Sequence, residues 1–507
     1  MQIYAKPDKD TKLRFLCYKV KTALQKFFSS PEWVFAVLAG IFGLMSVFTT
    51  PLQMTPDEPS HFQRAYQLSE LRLFPDGEIE SSRHGVIVSA YYLPTNITEF
   101  NQEYGNFDVV FSRHTAAYLF ADDTDKDIFT KKVDFDDRSL AIISTAAGYF
   151  PIAHLPQAVG IAIGRLIYPS IGVMYLSGRL FNLIFYVLVI FLIIKKARRA
   201  KWAYAVIALF PMLICHAASF SADPIAAVGI FGLFMVIHNL FTQKETMSKK
   251  DMAWLAIFAL VATFIRPTNI VLLLPLLFLP QKLFIKNRLK KIPFSINKWA
   301  TVISIGITVL IIVVAWQYIA AKISAPSTQP GVDAMAQIKE IIANPFHYMG
   351  AMFRTFFPYN PESGSFVFFR YIYESPGAIT WLYIPLPGTV LVIQYITLLF
   401  AFLYGKRNDT ASGKEAAVSV ATYVAISLAT ASALYIMWSR VGASAVDGLQ
   451  DRYFSPMFII LVPLFLWFKK YIYVSARHKQ TIGLIVAFTA TLSLSTYIIQ
   501  VVRMYAG

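Results

Sequence analysis

Apolar residues run along this chain in long stretches with short polar punctuation, not in the alternating or one-faced patterns from which a soluble domain builds its core. Stretches near the roughly 20 residues that carry a helix across a bilayer recur at 31–50, 171–194, 201–218, 222–241, 252–266, 268–286, 299–321, 379–404, 415–438, 453–469 and 480–503. The pattern predicts an all-α polytopic membrane protein with about eleven transmembrane helices. Two long segments, 51–170 and 322–378, interrupt the series. Residues 149–167 are apolar but broken by Pro151 and Pro156 and carry His154; they predict a juxtamembrane or re-entrant element.

Composition agrees, with 56% hydrophobic and 15% charged residues among 507. The first 30 residues carry seven Lys and Arg but no apolar core followed by a small-residue cleavage site. They predict a retained first span, not a removable signal peptide. Cys17 and Cys215 are the only cysteines, which argues against a disulfide framework or a zinc site.

Charge then orients the chain. Lys and Arg number seven in 1–30, five in 195–201, three in 242–251, six in 282–298, three in 405–414 and four in 469–479. The positive-inside rule assigns all of these segments to the cytoplasm. Segment 51–170, with 16 acidic against nine basic residues, is assigned to the outside. The net charge of +16 is thus spread over cytoplasmic loops, and no nucleic-acid partner is implied. The domains read as a basic cytoplasmic segment 1–30, a first transmembrane helix 31–50, an extracytoplasmic loop 51–170 with an acidic motif and juxtamembrane helices, transmembrane helices 171–321, a second extracytoplasmic loop 322–378, and C-terminal transmembrane helices 379–507.

Just past the first span lies Thr55-Pro56-Asp57-Glu58-Pro59-Ser60-His61. Two prolines stiffen the backbone around an adjacent pair of acids, which suits a catalytic base; equally, the acids could cap the helix beginning near His61. On the predicted topology Arg179, Asp223, Arg266, Arg440, Asp447, Asp451 and Arg452 lie toward the same outer face. Ionisable groups at span ends are functional suspects, and arginines gathered in one polar cavity suit a phosphate. There is no phosphate-binding glycine loop, HExxH or GxSxG, which argues against an ATP-driven pump, a zinc protease and a serine hydrolase.

The residues 56–62 motif, Tyr149-Phe150-Pro151, His154-Leu155-Pro156-Gln157-Ala158, Ser177-Gly178-Arg179-Leu180, Ser219-Phe220-Ser221-Ala222-Asp223, Arg266-Pro267 and Gln450-Asp451-Arg452-Tyr453-Phe454-Ser455-Pro456 together resemble the bacterial membrane-protein family called domain of unknown function 2142. The resemblance covers about residues 33–470. Asp451 departs from it, standing where a glycine is expected beside Arg452. That family is in turn similar to the C-type (GT-C fold) glycosyltransferases, which use polyprenyl-phosphate sugars.

The resemblance implies a GT-C-like glycosyltransferase in the bacterial cytoplasmic membrane, with its N-terminus in the cytoplasm and its site outside. The sugar would come from a polyprenyl (undecaprenyl) phosphate, the acceptor would be an extracytoplasmic glycan or lipid, and the anomeric configuration would invert. Asp57 or Glu58 is the expected base. His61, Arg64, His154, Arg179, Asp223, Arg266, Arg440 and Arg452 are the expected substrate-binding residues. No cofactor is required, and a divalent metal near Asp57, Glu58 and His61 is compatible with the sequence. The competing readings are a flippase for a lipid-linked sugar, a non-catalytic lipid-glycan-binding subunit, and a polymerase or ligase using lipid diphosphate glycans.

Overall fold

The computed structural model describes residues 9–80, 87–104, 126–143, 145–284, 298–324, 330–360, 365–366, 378–379, 384–405, 407–475 and 479–506. It is mostly helical. Among the described residues, seven helices are long and apolar enough to cross a membrane: Pro31–Thr49, Ile171–Lys196, Asp223–Thr242, Lys298–Ile323, Gly413–Met437, Asp451–Phe468 and Gln480–Met504. Two shorter apolar helices, Pro267–Phe278 and Gly388–Leu403, pack among them.

The differences from the hydropathy pattern have local causes. The stretch 201–218 is two short helices, Lys201–Ala208 and Pro211–Ala217, because Pro211 forces Phe210 into extended backbone (φ −57°, ψ 132°). The stretch beginning at 268 is a 3-10 helix with Pro275 inside it. That proline lacks the N–H an α-helix would use there. In the stretch beginning at 379, Ile384–Pro385 is a strand and the described helix runs Gly388–Leu403.

The expectation of an all-α chain also needs correction. Between the first and second long helices, β1 (Gly77–Glu80), β2 (Ile87–Pro94) and β3 (Arg138–Ala141) form an antiparallel sheet in the order β1-β2-β3. Strand β2 reads Ile-Val-Ser-Ala-Tyr-Tyr-Leu-Pro, rich in the β-branched and aromatic residues that suit a half-buried pleated surface. Its buried Tyr91 donates to the Ile323 carbonyl at 2.6 Å, and Ser89 donates to Lys322 O at 3.1 Å. The sheet is thereby docked on the end of helix Lys298–Ile323. A small core of Leu52, Phe62, Tyr66, Leu93, Phe100, Tyr175 and Phe220 joins it to the helix Glu58–Ser69 and to the bundle.

Helix Leu155–Ile167 spans 13 residues, about 20 Å at 1.5 Å per residue, too short for a roughly 30 Å hydrocarbon core. It lies against Ile171–Lys196 through Gly160 and Gly164, one turn apart. A Cβ at Gly160 would run into the backbone of Ser177, and one at Gly164 would sit 2.8 Å from the Ser177 hydroxyl. Small residues at this spacing are what let two membrane helices touch backbone to backbone.

The contact makes Gly160 intolerant of any side chain. Gly160→Ala should cost about 1–3 kcal/mol by overpacking, read as a lower apparent unfolding midpoint in detergent. Gly306→Ala, in open space on helix Lys298–Ile323, should cost nothing. Equal midpoints for the two variants would contradict the packing.

Candidate active site

Four chain segments deliver charge to one place. Asp57 and Glu58 follow the C-terminal end of helix Pro31–Thr49; Asp223 opens helix Asp223–Thr242; Arg266 ends the helix Lys249–Ile265; Arg452 opens the segment Asp451–Phe468. Reversal of direction from helix to helix brings these ends to the same end of the bundle. The basic segment 195–201 follows the far end of Ile171–Lys196, where Arg199 pairs with Asp409 (3.2 Å) and Glu415 (3.0 Å).

The two adjacent acids have opposite fates. Glu58 is fully buried, and its carboxylate accepts four hydrogen bonds: from Arg179 Nε and Nη2 (both 2.8 Å), from the Phe220 N–H (3.0 Å) and from the Thr55 N–H (3.3 Å). That uses every acceptor site a carboxylate offers. Arg179, equally buried, turns its remaining donors on the carbonyls of Thr50 (2.7 Å) and Pro51 (2.8 Å), a cation closing the C-terminal end of the first long helix. Its ring neighbour is Tyr175, 5.1 Å away. In this structure the acceptor sites of Glu58 and the donors of Arg179, expected as base and phosphate ligand, are taken up by protein partners.

Asp57 is the open member. It has a left-handed backbone (φ 62°, ψ 8°) and, although it precedes the helix Glu58–Ser69, its side chain does not cap it. Aspartate tolerates this conformation better than most residues, yet it still stores of order 1–3 kcal/mol. The turn points the carboxylate at Arg452, with Oδ2 2.7 Å from Nη2; 48% of the Asp57 side chain remains exposed against 7% for Arg452. The enclosing protein would raise its pKa, but the Arg452 guanidinium and then the His61 imidazole outweigh that and hold it below the usual carboxylate value.

Behind this pair lies Asp223, whose Oδ1 takes Arg266 Nη2 and whose Oδ2 is 3.5 Å from Arg452 Nε and 3.8 Å from His216 Nδ1. The 3.5 Å approach is not a hydrogen bond, and both Arg452 Nε and Asp223 Oδ2 are buried with no hydrogen-bond partner. Buried polar atoms of this kind call for an explanation such as a ligand. Tyr453 lies under both guanidinia, 4.0 Å from Arg266 and 5.5 Å from Arg452.

His61 and His154 share a hydrogen bond, Nδ1 to Nε2 at 2.7 Å, in which one imidazole donates and the other accepts. Burial lowers the pKa of both; the charges of His61 and Arg64 lower that of His154 further. Arg64 is buried under the sheet, donating from Nη1 to Gln67 and to the Leu73 carbonyl (3.1 Å), with Nε and Nη2 unpartnered. Arg440 stands outside the network: it is exposed, next to Gly331, and its side chain makes no hydrogen bond or ion pair among the described residues. Sequence reasoning missed His216, although an imidazole at the end of an apolar stretch is the kind of residue that merits suspicion. Among the described residues no three His, Cys, Asp or Glu side chains are grouped to hold a metal ion; the carboxylate of Glu58, expected in such a set, is taken by Arg179.

A cavity of about 630 Å³ is lined in part by the chain neighbours of Arg266. Its wall includes Ile265 and Pro267 on either side of Arg266, with Tyr149, Phe264, Ala320 and Trp438, and Val332 and Ala334 from the second long connecting segment. That segment is tied down where Arg354 Nε donates to Ser444 O (2.7 Å) and Thr355 accepts from the Val446 N–H (2.9 Å).

A family model for predicted membrane proteins, DUF2142, matches residues 40–461. The chain belongs to the DUF2142 family. It is a multi-pass membrane protein, and the Asp57, Asp223, Arg266 and Arg452 network lies wholly inside the matched range. No curated protein and no solved structure matches this DUF2142 chain.

The contrast between the acids gives a stability test. Glu58→Gln strips a buried arginine of its partner and should cost about 3–5 kcal/mol, whereas Asp57→Asn should shift the apparent unfolding midpoint far less, since Asn also accepts a left-handed backbone. The reverse order would exchange the two roles. The histidine pair gives a pH test. Its folded-state pKa values lie below the free imidazole value, so the unfolded chain takes up protons first and stability falls as the pH drops below about 6.5. Between pH 7 and 5 the midpoint should fall less steeply in His154→Gln than in wild type, and identical slopes would remove the pair from the account.

Proposed function

We propose that this protein is a GT-C-like glycosyltransferase that moves a sugar from a polyprenyl phosphate to a hydroxyl acceptor at the outer face of the bacterial cytoplasmic membrane, with about eleven passes of the chain. The observation that carries this reading is the half-exposed, strained Asp57 carboxylate resting on Arg452, an arginine that keeps an unspent buried donor. The cavity suits the first isoprene units of a lipid, and Arg452 and Arg266 suit its phosphate. The outer orientation rests on the distribution of Lys and Arg.

In this reading the donor phosphate displaces Asp57 from Arg452. The freed carboxylate takes the proton of the acceptor hydroxyl as its oxygen attacks the anomeric carbon; the sugar–phosphate C–O bond breaks, and the polyprenyl phosphate leaves as an anion held by the arginines. Attack opposite the leaving group inverts the anomeric centre. The phosphate leaves without needing a proton, so one carboxylate suffices. General base catalysis supplies about 10²–10⁴-fold in rate.

Asp57→Asn in nanodiscs should therefore release sugar from radiolabelled undecaprenyl-phosphate sugars about 10²–10⁴-fold more slowly than wild type while binding the lipid as well. If wild type turns over no donor but carries the lipid across a vesicle membrane, the flippase reading replaces this one.

A further inference from the structure

A second cavity, of about 370 Å³, opens on the other side of the acid loop. Pro59 and Gln63, one turn apart on the helix that Asp57 precedes, form one wall; Thr98, Asn101 and Gln102 from helix Thr95–Tyr104 form another, and Glu80 of β1 stands at the rim. Ile79 and Leu140 add apolar surface. The volume falls within the roughly 300–1,000 Å³ of small-molecule sites.

The lining is made for hydroxyl groups. Gln63 is only 7% exposed, yet its amide makes no hydrogen bond among the described residues. Asn101 spends its carbonyl on Gln53 Nε2 (2.6 Å) and leaves a buried Nδ2 with no partner. A desolvated and unsatisfied amide such as Asn101 Nδ2 costs free energy unless a ligand pairs with it, while the amide of Gln63 is left free to bond one. No lysine or arginine lines this cavity, in contrast to the neighbouring arginine cluster, so its ligand is not an anion. Three amides, a threonine hydroxyl and a carboxylate, with apolar patches between them, offer donors and acceptors in the mixture that a sugar's hydroxyls and C–H faces present. Gln53 also ties the pocket to the Asp57 loop, since it lies four residues before Asp57 and its backbone N–H donates to Tyr175 Oη (3.1 Å).

We infer that this cavity is a binding site for a neutral, hydroxyl-rich glycan. Resting on the transferase reading, it is the acceptor subsite, which makes the acceptor an uncharged saccharide held by the helix that Asp57 precedes.

The test needs no donor. Full-length protein in nanodiscs is titrated with cellotriose, mannotriose and rhamnotriose, and with 3′-sialyllactose as the charged control, following binding by saturation-transfer NMR. At least one neutral trisaccharide should bind saturably and in preference to the sialylated one. Gln63→Leu should weaken that binding at least tenfold. So should Gln102→Trp, a surface change that fills the mouth while leaving the unfolding midpoint in place. No saturable binding by any neutral trisaccharide, a preference for the charged one, or undiminished binding in Gln102→Trp would overturn the assignment. Because this readout is independent of sugar release from the lipid, loss of the transferase reading and loss of the glycan site register separately.

Discussion

The buried pair of Glu58 and Arg179 is the constraint on which the rest of the site depends. Two charges in a water-free interior are tolerated only when geometry and additional hydrogen bonds repay their desolvation. Here every donor and acceptor is committed: Arg179 holds the end of the first long helix through Thr50 and Pro51, and Glu58 holds the Phe220 N–H that leads into Asp223. A single ion pair therefore fixes three segments relative to one another. It also leaves residue 57 no freedom to follow the helix it precedes, and the strain at its left-handed backbone is the consequence.

That arrangement explains why two acids stand side by side. With Glu58 drawn inward by Arg179, its neighbour is thrown outward onto Arg452, held at 2.7 Å but still half in water. The buried acid sets the position of the open one. Asp223 plays a similar anchoring part for the arginines, taking Arg266 and approaching Arg452 at Nε, whereas Asp57 holds its Nη2. Buried and open positions are thus divided between residues of like chemistry.

The sequence carried much of this, and where it fell short the reason is distance along the chain. Long helices such as Asp223–Thr242 and Gly413–Met437 are legible because an unbroken apolar run has few alternatives in a bilayer. The break before Pro211 was readable in principle, since a proline acts on its immediate neighbour. The motif residues that meet in the network were also visible as charges at span ends. Which of the two acids is open was not, because Glu58 takes its partner 121 positions away and Asp57 its partner 395 positions away. No local pattern distinguishes adjacent carboxylates whose fates are decided by partners that remote. Arg440 shows the converse: it lies at a helix end near the others in sequence logic, yet it is exposed on the surface and outside the network.

The charge balance of the resting network sets how a phosphate could enter it. Asp57 and Asp223 offset Arg266 and Arg452, so an added anion would leave the cluster negative unless one carboxylate withdrew. Asp223 is enclosed between Arg266 and Arg452, with His216 beside it, and cannot move without breaking the helix end it opens. Asp57 is held by one guanidinium and faces water. Its withdrawal is the least costly exchange: a phosphate oxygen replaces a carboxylate oxygen on Arg452 while the buried Glu58–Arg179 pair stays intact. Binding of the anion and release of the base then become one event, so a carboxylate whose pKa is held down by Arg452 would gain basicity when the lipid phosphate has taken that arginine from it.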